Sequence, residues 1–175
     1  MHQEQVQETQ PMRKISVGKV VINIGVGKSG EPLEKAKHAL EELTGREPSV
    51  RGAKNTVRDF NIHKGEPIGA MVTLRREPAV KFLRNVLAAN RNIVKTSSFD
   101  NYGNTSIGIH EHIDIPGTKY NPEIGIFGMD VCISLTRPGY RIAKKRNRDR
   151  IGKFHRITKQ DAIEFFKREY GAETI

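Results

Sequence analysis

The chain has 175 residues, 36% of them hydrophobic and 29% charged, which predicts one soluble globular domain over residues 13–175 after a disordered start at residues 1–12. A net charge of +10 indicates a polyanionic partner, with nucleic acid favoured over a membrane surface, because so basic a chain repels itself without counter-charge. One cysteine excludes an internal disulfide, no apolar run approaches the ~18 residues of a membrane helix, and the polar start is no signal peptide, so we expect a cytoplasmic protein.

The first third of the chain predicts a strand, a helix and a second short strand. Residues 14–26 alternate as a strand, but the apolar phase slips near Gly18, which indicates a bulge. Asn23 points away from the apolar side of that strand. A helix is predicted over residues 32–45, with a proline in its first turn and a glycine as its stop. Residues 49–51 predict the short strand.

Residues 50–75 combine a cationic loop with a strand of regular alternation. The loop, residues 53–64, is called the basic loop here, and extended chain is predicted at residues 59–63. The strand that follows places Ile68, Ala70, Val72 and Leu74 on one face and Gly69, Met71, Thr73 and Arg75 on the other. An outward face of small, polar and cationic groups beside such a loop is suited to holding a phosphate backbone.

The second half of the chain predicts a helix over residues 78–90 and two paired strands. Residues 107–115 alternate as one strand, and residues 127–135 alternate as its antiparallel partner. The polar side of the first of these strands would carry His110, His112 and Asp114. Together the elements predict an α+β fold, a mostly antiparallel sheet with helices packed on one face.

A strongly cationic segment at residues 137–156, called the basic arm here, precedes a last helix capped by Thr158 and Asp161. The segment contains nine basic residues and one acidic residue, Asp149. The basic residues are Arg137, Arg141, Lys144, Lys145, Arg146, Arg148, Arg150, Lys153 and Arg156. This density, with Tyr140 and Phe154 interspersed, indicates an arm that becomes ordered on RNA phosphates, in preference to a merely solvated surface. The alternative of a basic DNA-coating protein is less favoured, because no predicted helix is itself a basic recognition helix.

Residues 25–30 match G-x-G-x-x-G between a strand and a helix, the context of a dinucleotide-binding turn. The rest of such a site is absent, since residues 49–54 are cationic where an acidic strand end is needed, and a P-loop would require glycine at Ile22. We interpret the segment as a glycine turn. A small nucleotide-binding enzyme using residues 25–29 remains the alternative.

No catalytic, metal or cofactor site is predicted elsewhere. His110, His112 and Asp114 would lie ~6–7 Å apart along one strand face, too far for three ligands of one ion. Cys132 has no cationic sequence neighbour and is interpreted as a small packing residue. We therefore expect a binding protein that is not an enzyme and needs no cofactor.

Seven ordered blocks resemble the large-subunit ribosomal protein L5 family, which binds 5S ribosomal RNA. They are residues 20–27, 43–48, 53–58, 64–69, 72–75, 108–113 and 125–130. Residues 137–141 and 151–158 resemble the archaeal and eukaryotic branch, and the compact ends favour an archaeal member.

The resemblance implies a protein of the central protuberance of the large ribosomal subunit. It implies contacts with 5S rRNA, 23S-type rRNA, the P-site tRNA and neighbouring large-subunit proteins, and an intersubunit bridge to a protein of the small-subunit head. Carried over by motif, Asn23, Arg46 and Thr73 stand at 5S RNA contacts, although many relatives have Gln where Arg46 stands. The rRNA-binding set is completed by Arg75, Arg141, Lys144, Lys145, Arg146 and Arg148. The tRNA-facing set is Lys54, Arg58, His63 and Lys64.

Overall fold

A five-stranded antiparallel sheet organises the chain, of which the computed structural model describes residues 10–118 and 121–175. The strands and helices are β1 (Ser16–Gly25), α1 (Glu31–Thr44), β2 (Ser49–Gly52), β3 (Pro67–Leu74), α2 (Arg76–Ala89), β4 (Ile93–Val94), β5 (Asn104–Ile109), β6 (Met129–Thr136), α3 (Lys159–Tyr170) and β7 (Glu173–Thr174). The sheet order is β2-β3-β1-β6-β5, and β4 and β7 form a separate parallel pair.

The core lies between the helices and one face of the sheet. Val20, Ile22 and Ile24 of the central strand β1 are fully buried, and burying each such side chain contributes about 1.5–3 kcal/mol. Helices α1 and α2 cover this face, and Phe166 of α3 packs edge-on against Phe99 with 5.5 Å between ring centroids. The predicted α+β fold is confirmed, and the opposite face of the sheet carries no α-helix among the described residues.

Local sequence signals located one strand irregularity and two helix ends correctly. The bulge predicted in β1 lies between Val17 and Lys19, where the pairing register with β6 shifts. Gly45 ends α1 with φ of 63°, a conformation that suits glycine. Thr158 and Asp161 form the predicted capping box of α3, each side chain accepting a hydrogen bond from the other's backbone N–H.

The extended segment predicted at residues 59–63 is wrong. Arg58–Phe60 form a turn of 3-10 helix, and Asn61 follows with φ of 54°. Val57 and Ile62 then pair across this turn, each donating its backbone N–H to the other's carbonyl. The basic loop therefore doubles back on itself, because asparagine tolerates the left-handed conformation that a tight turn requires.

Several predicted boundaries move by two residues, among them the starts of α2 and β6. Helix α2 begins at Arg76, so that Pro78 lies inside its first turn, where the missing N–H costs no helical hydrogen bond. Strand β6 begins at Met129, because both backbone groups of Phe127 are used elsewhere. The N–H of Phe127 donates to Nδ1 of His112, and its carbonyl accepts from the His112 N–H at 3.0 Å.

The single strand predicted over residues 107–115 is also wrong. Strand β5 ends at Ile109, and His112–Asp114 form a 3-10 turn that brings Ile115 into the core. His112 is only 4% exposed, so it does not share a polar strand face with His110 and Asp114. Apolar and polar residues alternate in the sequence here, but alternation places residues on opposite faces only in a strand, and this segment forms a turn.

The start of the chain and its helix lengths complete the description. Pro11–Arg13 form one turn of 3-10 helix, and the first nine residues of the predicted disordered start lie outside the described residues. Within the described chain the longest helices have 14 residues, and none is long and apolar enough to cross a bilayer.

Candidate nucleic-acid interface

The face of the sheet that carries no α-helix among the described residues, called the open face here, has small and polar side chains at its centre. Val21 of β1 pairs with Thr73 of β3 on one side and with Cys132 of β6 on the other. Two residues further along β1, Asn23 pairs with Met71. The open face comprises Lys19, Val21, Asn23, Met71, Thr73, Ser106, Asp130, Cys132 and Ser134. Asn23 and Thr73, both half-buried, therefore stand at diagonal positions on adjacent strands, as one hydrogen-bonding surface.

Arg46 precedes the edge strand β2 of this sheet, and Arg75 follows β3. Arg46 is exposed in the turn between α1 and the edge strand β2, where its N–H donates to Oγ1 of Thr44 at 3.3 Å. Arg75 is exposed directly after β3, beyond the point where Leu74 pairs with Val20. Guanidinium groups at these borders can fork onto phosphates while the amide and hydroxyl groups between them contact sugar and base edges.

The basic loop is a separate, internally bonded unit beside the sheet. Its base is closed by the Ala53 N–H donating to the Glu66 carbonyl at 2.8 Å and the Gly65 N–H donating to the Ala53 carbonyl at 2.9 Å. The N–H of Lys64 donates to Oγ1 of Thr56 at 3.0 Å. The predicted contact residues are all exposed on this unit: Lys54, Arg58, His63 and Lys64.

Glu66 ties the glycine turn at residues 25–30 to the basic loop. Its carboxylate accepts hydrogen bonds from the His63 N–H and from Oγ of Ser29, both at 2.9 Å, and these bonds lower its pKa. The N–H groups of Val26 and Gly27 both donate to the Ile68 carbonyl. Two backbone donors of the turn and the Ser29 hydroxyl are thus bonded within the fold, which favours the structural interpretation of the glycine motif over a nucleotide site.

The two ends of the basic arm are clasped together at the start of α3. Arg137 is 7% exposed, its Nη2 lies 3.3 Å from Oδ2 of Asp161, and its Nη1 donates to the carbonyls of His155 and Arg156. The hydroxyl of Tyr140 accepts from the Ile157 N–H at 2.7 Å. Arg137 is therefore an anchor for the arm and not one of its free cations.

The tip of the arm is an unpaired array of positive charge. Its five predicted rRNA contacts are exposed and form no ion pair with any described residue: Arg141, Lys144, Lys145, Arg146 and Arg148. Asp149 uses its Oδ1 to accept from the Arg150 N–H at 2.7 Å. Such an array gains from a polyanion because every phosphate it neutralises releases a condensed counterion.

Cys132 and the histidines complete the site survey. Cys132 lies exposed in the middle of the open face, so its interpretation as a packing residue is wrong. Partial burial of the thiol, together with the Asp130 carboxylate, raises its pKa, and Lys19 opposes this shift. Over residues 10–118 and 121–175, no cluster of three or more histidine, cysteine, aspartate or glutamate residues could hold a metal ion.

No feature of the local sequence indicates the anchoring role of Arg137 or the exposed aromatic position of Tyr102. Arg137 meets Asp161 only because β6 and the start of α3 converge in space. Tyr102 stands alone in a polar turn, 67% exposed, without a periodic pattern around it.

Comparison with known proteins identifies the family of the chain. Residues 10–63 match the family described as Ribosomal protein L5, and residues 67–165 match the C-terminal part of that family. The chain is 55% identical to large ribosomal subunit protein uL5 of Pyrobaculum aerophilum, over 93% of this chain and 92% of the relative. It is 51% identical to the uL5 of Sulfurisphaera tokodaii, over 98% of each, and 53% identical to that of Cenarchaeum symbiosum, over 94% of this chain and 98% of the relative. The chain therefore belongs to the ribosomal protein L5 family, and to its archaeal type.

Proposed function

We propose that this chain anchors 5S rRNA in the central protuberance of the large ribosomal subunit. As a member of its family it is a structural, non-enzymatic ribosomal protein of the cytoplasm. The observation that carries the finer proposal is the open face, a polar sheet surface without a covering helix among the described residues, bordered by the unpaired cations of the basic arm.

The open face suits recognition of folded RNA by shape. Asn23 can donate and accept hydrogen bonds, and Thr73 can bond a 2′-hydroxyl or a phosphate oxygen, so together they fix the register of a backbone. Small side chains such as Ser106 and Ser134 let a minor groove approach closely. Arg75 and the basic arm then supply charge along the phosphates.

The basic loop is proposed to contact the P-site tRNA. It is bonded within itself and to the glycine turn, and its four cationic or imidazole side chains are exposed. Contacts with 23S-type rRNA, with neighbouring large-subunit proteins and with a protein of the small-subunit head are proposed from the family resemblance.

Two double variants separate these roles. Asn23→Ala with Thr73→Ala removes two hydrogen-bonding groups of about 0.5–1.5 kcal/mol each, so 5S rRNA affinity in a filter-binding assay should fall about 5- to 150-fold. Binding of tRNA to reconstituted ribosomes that retain 5S rRNA should be unchanged. Lys54→Glu with Arg58→Glu should show the reverse, weakened tRNA binding with 5S rRNA affinity within about 3-fold of the parent.

A matched charge control is available on the helix side of the molecule. Lys81 and Arg84 are exposed on α2, away from the open face, and Lys81→Glu with Arg84→Glu changes the net charge by the same amount as the loop variant. The control should leave both assays unchanged. Equal losses of 5S rRNA and tRNA binding in the two double variants would refute the division of roles.

A further inference from the structure

A cleft of about 860 Å³ lies between the basic arm and the adjacent end of the open face. Lys19 and Ser134, which are paired neighbours on β1 and β6, contribute to it from the sheet. Arg141 and Lys144 contribute from the arm, and Tyr102 from the turn before β5. The cleft is therefore assembled from parts of the chain that are distant in sequence.

The turn that carries Tyr102 is held rigidly. Oδ1 of Asp100 accepts from the N–H groups of Tyr102 and Asn104 at 2.8 and 2.7 Å, and Oδ2 accepts from Nδ2 of Asn104 at 2.7 Å. Asn104 is held in turn by Oγ of Ser134, which donates to its Oδ1 at 2.8 Å. An exposed aromatic ring is thus presented from a fixed backbone, which lowers the entropy lost when a ligand packs on it.

The rest of the lining is cationic, and two of its side chains are held by hydrogen bonds. Arg156 donates from Nε to the Ile151 carbonyl at 3.2 Å, and Tyr140 is fixed through its hydroxyl to Ile157. Besides these, the lining includes Lys19, Arg75, Arg141, Lys144 and Arg150, with Asp149 as the acid among the lining residues. Its carboxylate already accepts a hydrogen bond from the Arg150 N–H.

We propose that this cleft receives a single nucleotide extruded from the stack of the bound RNA, with its base against the ring of Tyr102 and its phosphate among the cations of the arm. The proposal rests on the proposed function, since the open face must first hold the RNA. A volume of about 860 Å³ falls within the range of small-molecule sites, roughly 300–1,000 Å³, and is too small for a duplex. Unpaired nucleotides are the preferred occupants, because extrusion costs least for a base that has no partner.

The test uses the full chain and a fluorescent reporter. The natural chain has no tryptophan, so Tyr102→Trp introduces a single one at the rim of the cleft. The probes are three RNA hairpins that share the same stem sequence. In the first the stem is fully paired, in the second one unpaired adenosine interrupts it, and in the third an abasic ribose replaces that adenosine. The adenosine hairpin should quench the fluorescence and bind about 5- to 150-fold more tightly than either of the others, as stacking on one aromatic ring predicts.

Two further variants serve as controls. Tyr102→Leu removes the ring and should abolish this preference while leaving the affinity for the paired hairpin unchanged. Phe60→Trp places the reporter in the basic loop, at an exposed position outside the cleft, and should respond equally to the three hairpins.

The outcomes separate the cleft from the proposed function. If the three hairpins bind equally, or none binds, while a 5S rRNA transcript of Pyrobaculum aerophilum binds tightly, the cleft proposal is overturned and the proposed function stands. If the 5S transcript does not bind either, both are overturned. Quenching by micromolar adenosine monophosphate, as strong as that by the adenosine hairpin, would make the cleft a site for free nucleotides and would also overturn the proposal.

Discussion

Replacing Arg141, Lys144, Lys145, Arg146 and Arg148 with glutamine should lower the affinity for 5S rRNA about 100-fold at physiological salt. Each phosphate neutralised contributes about 0.7–0.9 to the slope of log K against log salt, so the slope should become shallower by about 3.5–4.5. The fold should persist, because the clasp that closes the base of the arm uses none of these side chains.

The control variant has the same change in net charge, but its substitutions lie elsewhere on the surface. Five exposed cations outside the basic arm, the basic loop and the open face are replaced with glutamine, namely Lys81, Arg84, Arg91, Lys95 and Lys167. This variant should lose less than about 3-fold in affinity. If both sets lose affinity equally and both salt slopes fall alike, net charge and not the arm carries the binding.

Gly103→Ala should destabilise the protein by about 3 kcal/mol, and lower the melting temperature by roughly 6–12 °C in a thermal unfolding experiment. Gly103 has φ of 76°, and a Cβ built there would overlap Cγ2 of Ile157. Ile157 is only 1% exposed and cannot move aside without disturbing the core. The substitution therefore combines backbone strain with a steric overlap.

Gly45→Ala separates these two contributions. Gly45 has φ of 63°, but a Cβ at this position would meet nothing within 4 Å. This variant should lose about 1 kcal/mol, which is the backbone strain alone. Equal destabilisation by the two substitutions would show that the contact between Gly103 and Ile157 is not tight.

Strand faces and helix ends were predictable because their signals are local. The alternation around Asn23 and Thr73 places both on the outward side of adjacent strands, and the structure confirms that position. Thr158 and Asp161 form a capping box that four consecutive residues encode. In these places the residues that decide the structure are neighbours in sequence.

Long-range contacts decide the features that the sequence did not reveal. His112 is buried because its ring and backbone bond Phe127, fifteen residues away, and this contact ends the predicted strand. Arg137 was counted among the cations of the arm, but Asp161 and two carbonyls hold it inside the fold. Composition records such a charge without showing whether it is free.

The most direct measurement follows alkylation of Cys132, the only cysteine of the chain, in the middle of the open face. The raised pKa of Cys132 keeps its thiol protonated to higher pH than an ordinary cysteine. Its reaction with a maleimide should therefore keep accelerating as the pH rises beyond ~8.5, where an ordinary cysteine is already half ionised. At a fixed pH near this value, saturating 5S rRNA should slow the reaction at least about 10-fold, whereas an equal concentration of tRNA should leave it unchanged. Full reactivity of Cys132 in a stable complex with 5S rRNA would show that the RNA does not lie on the open face.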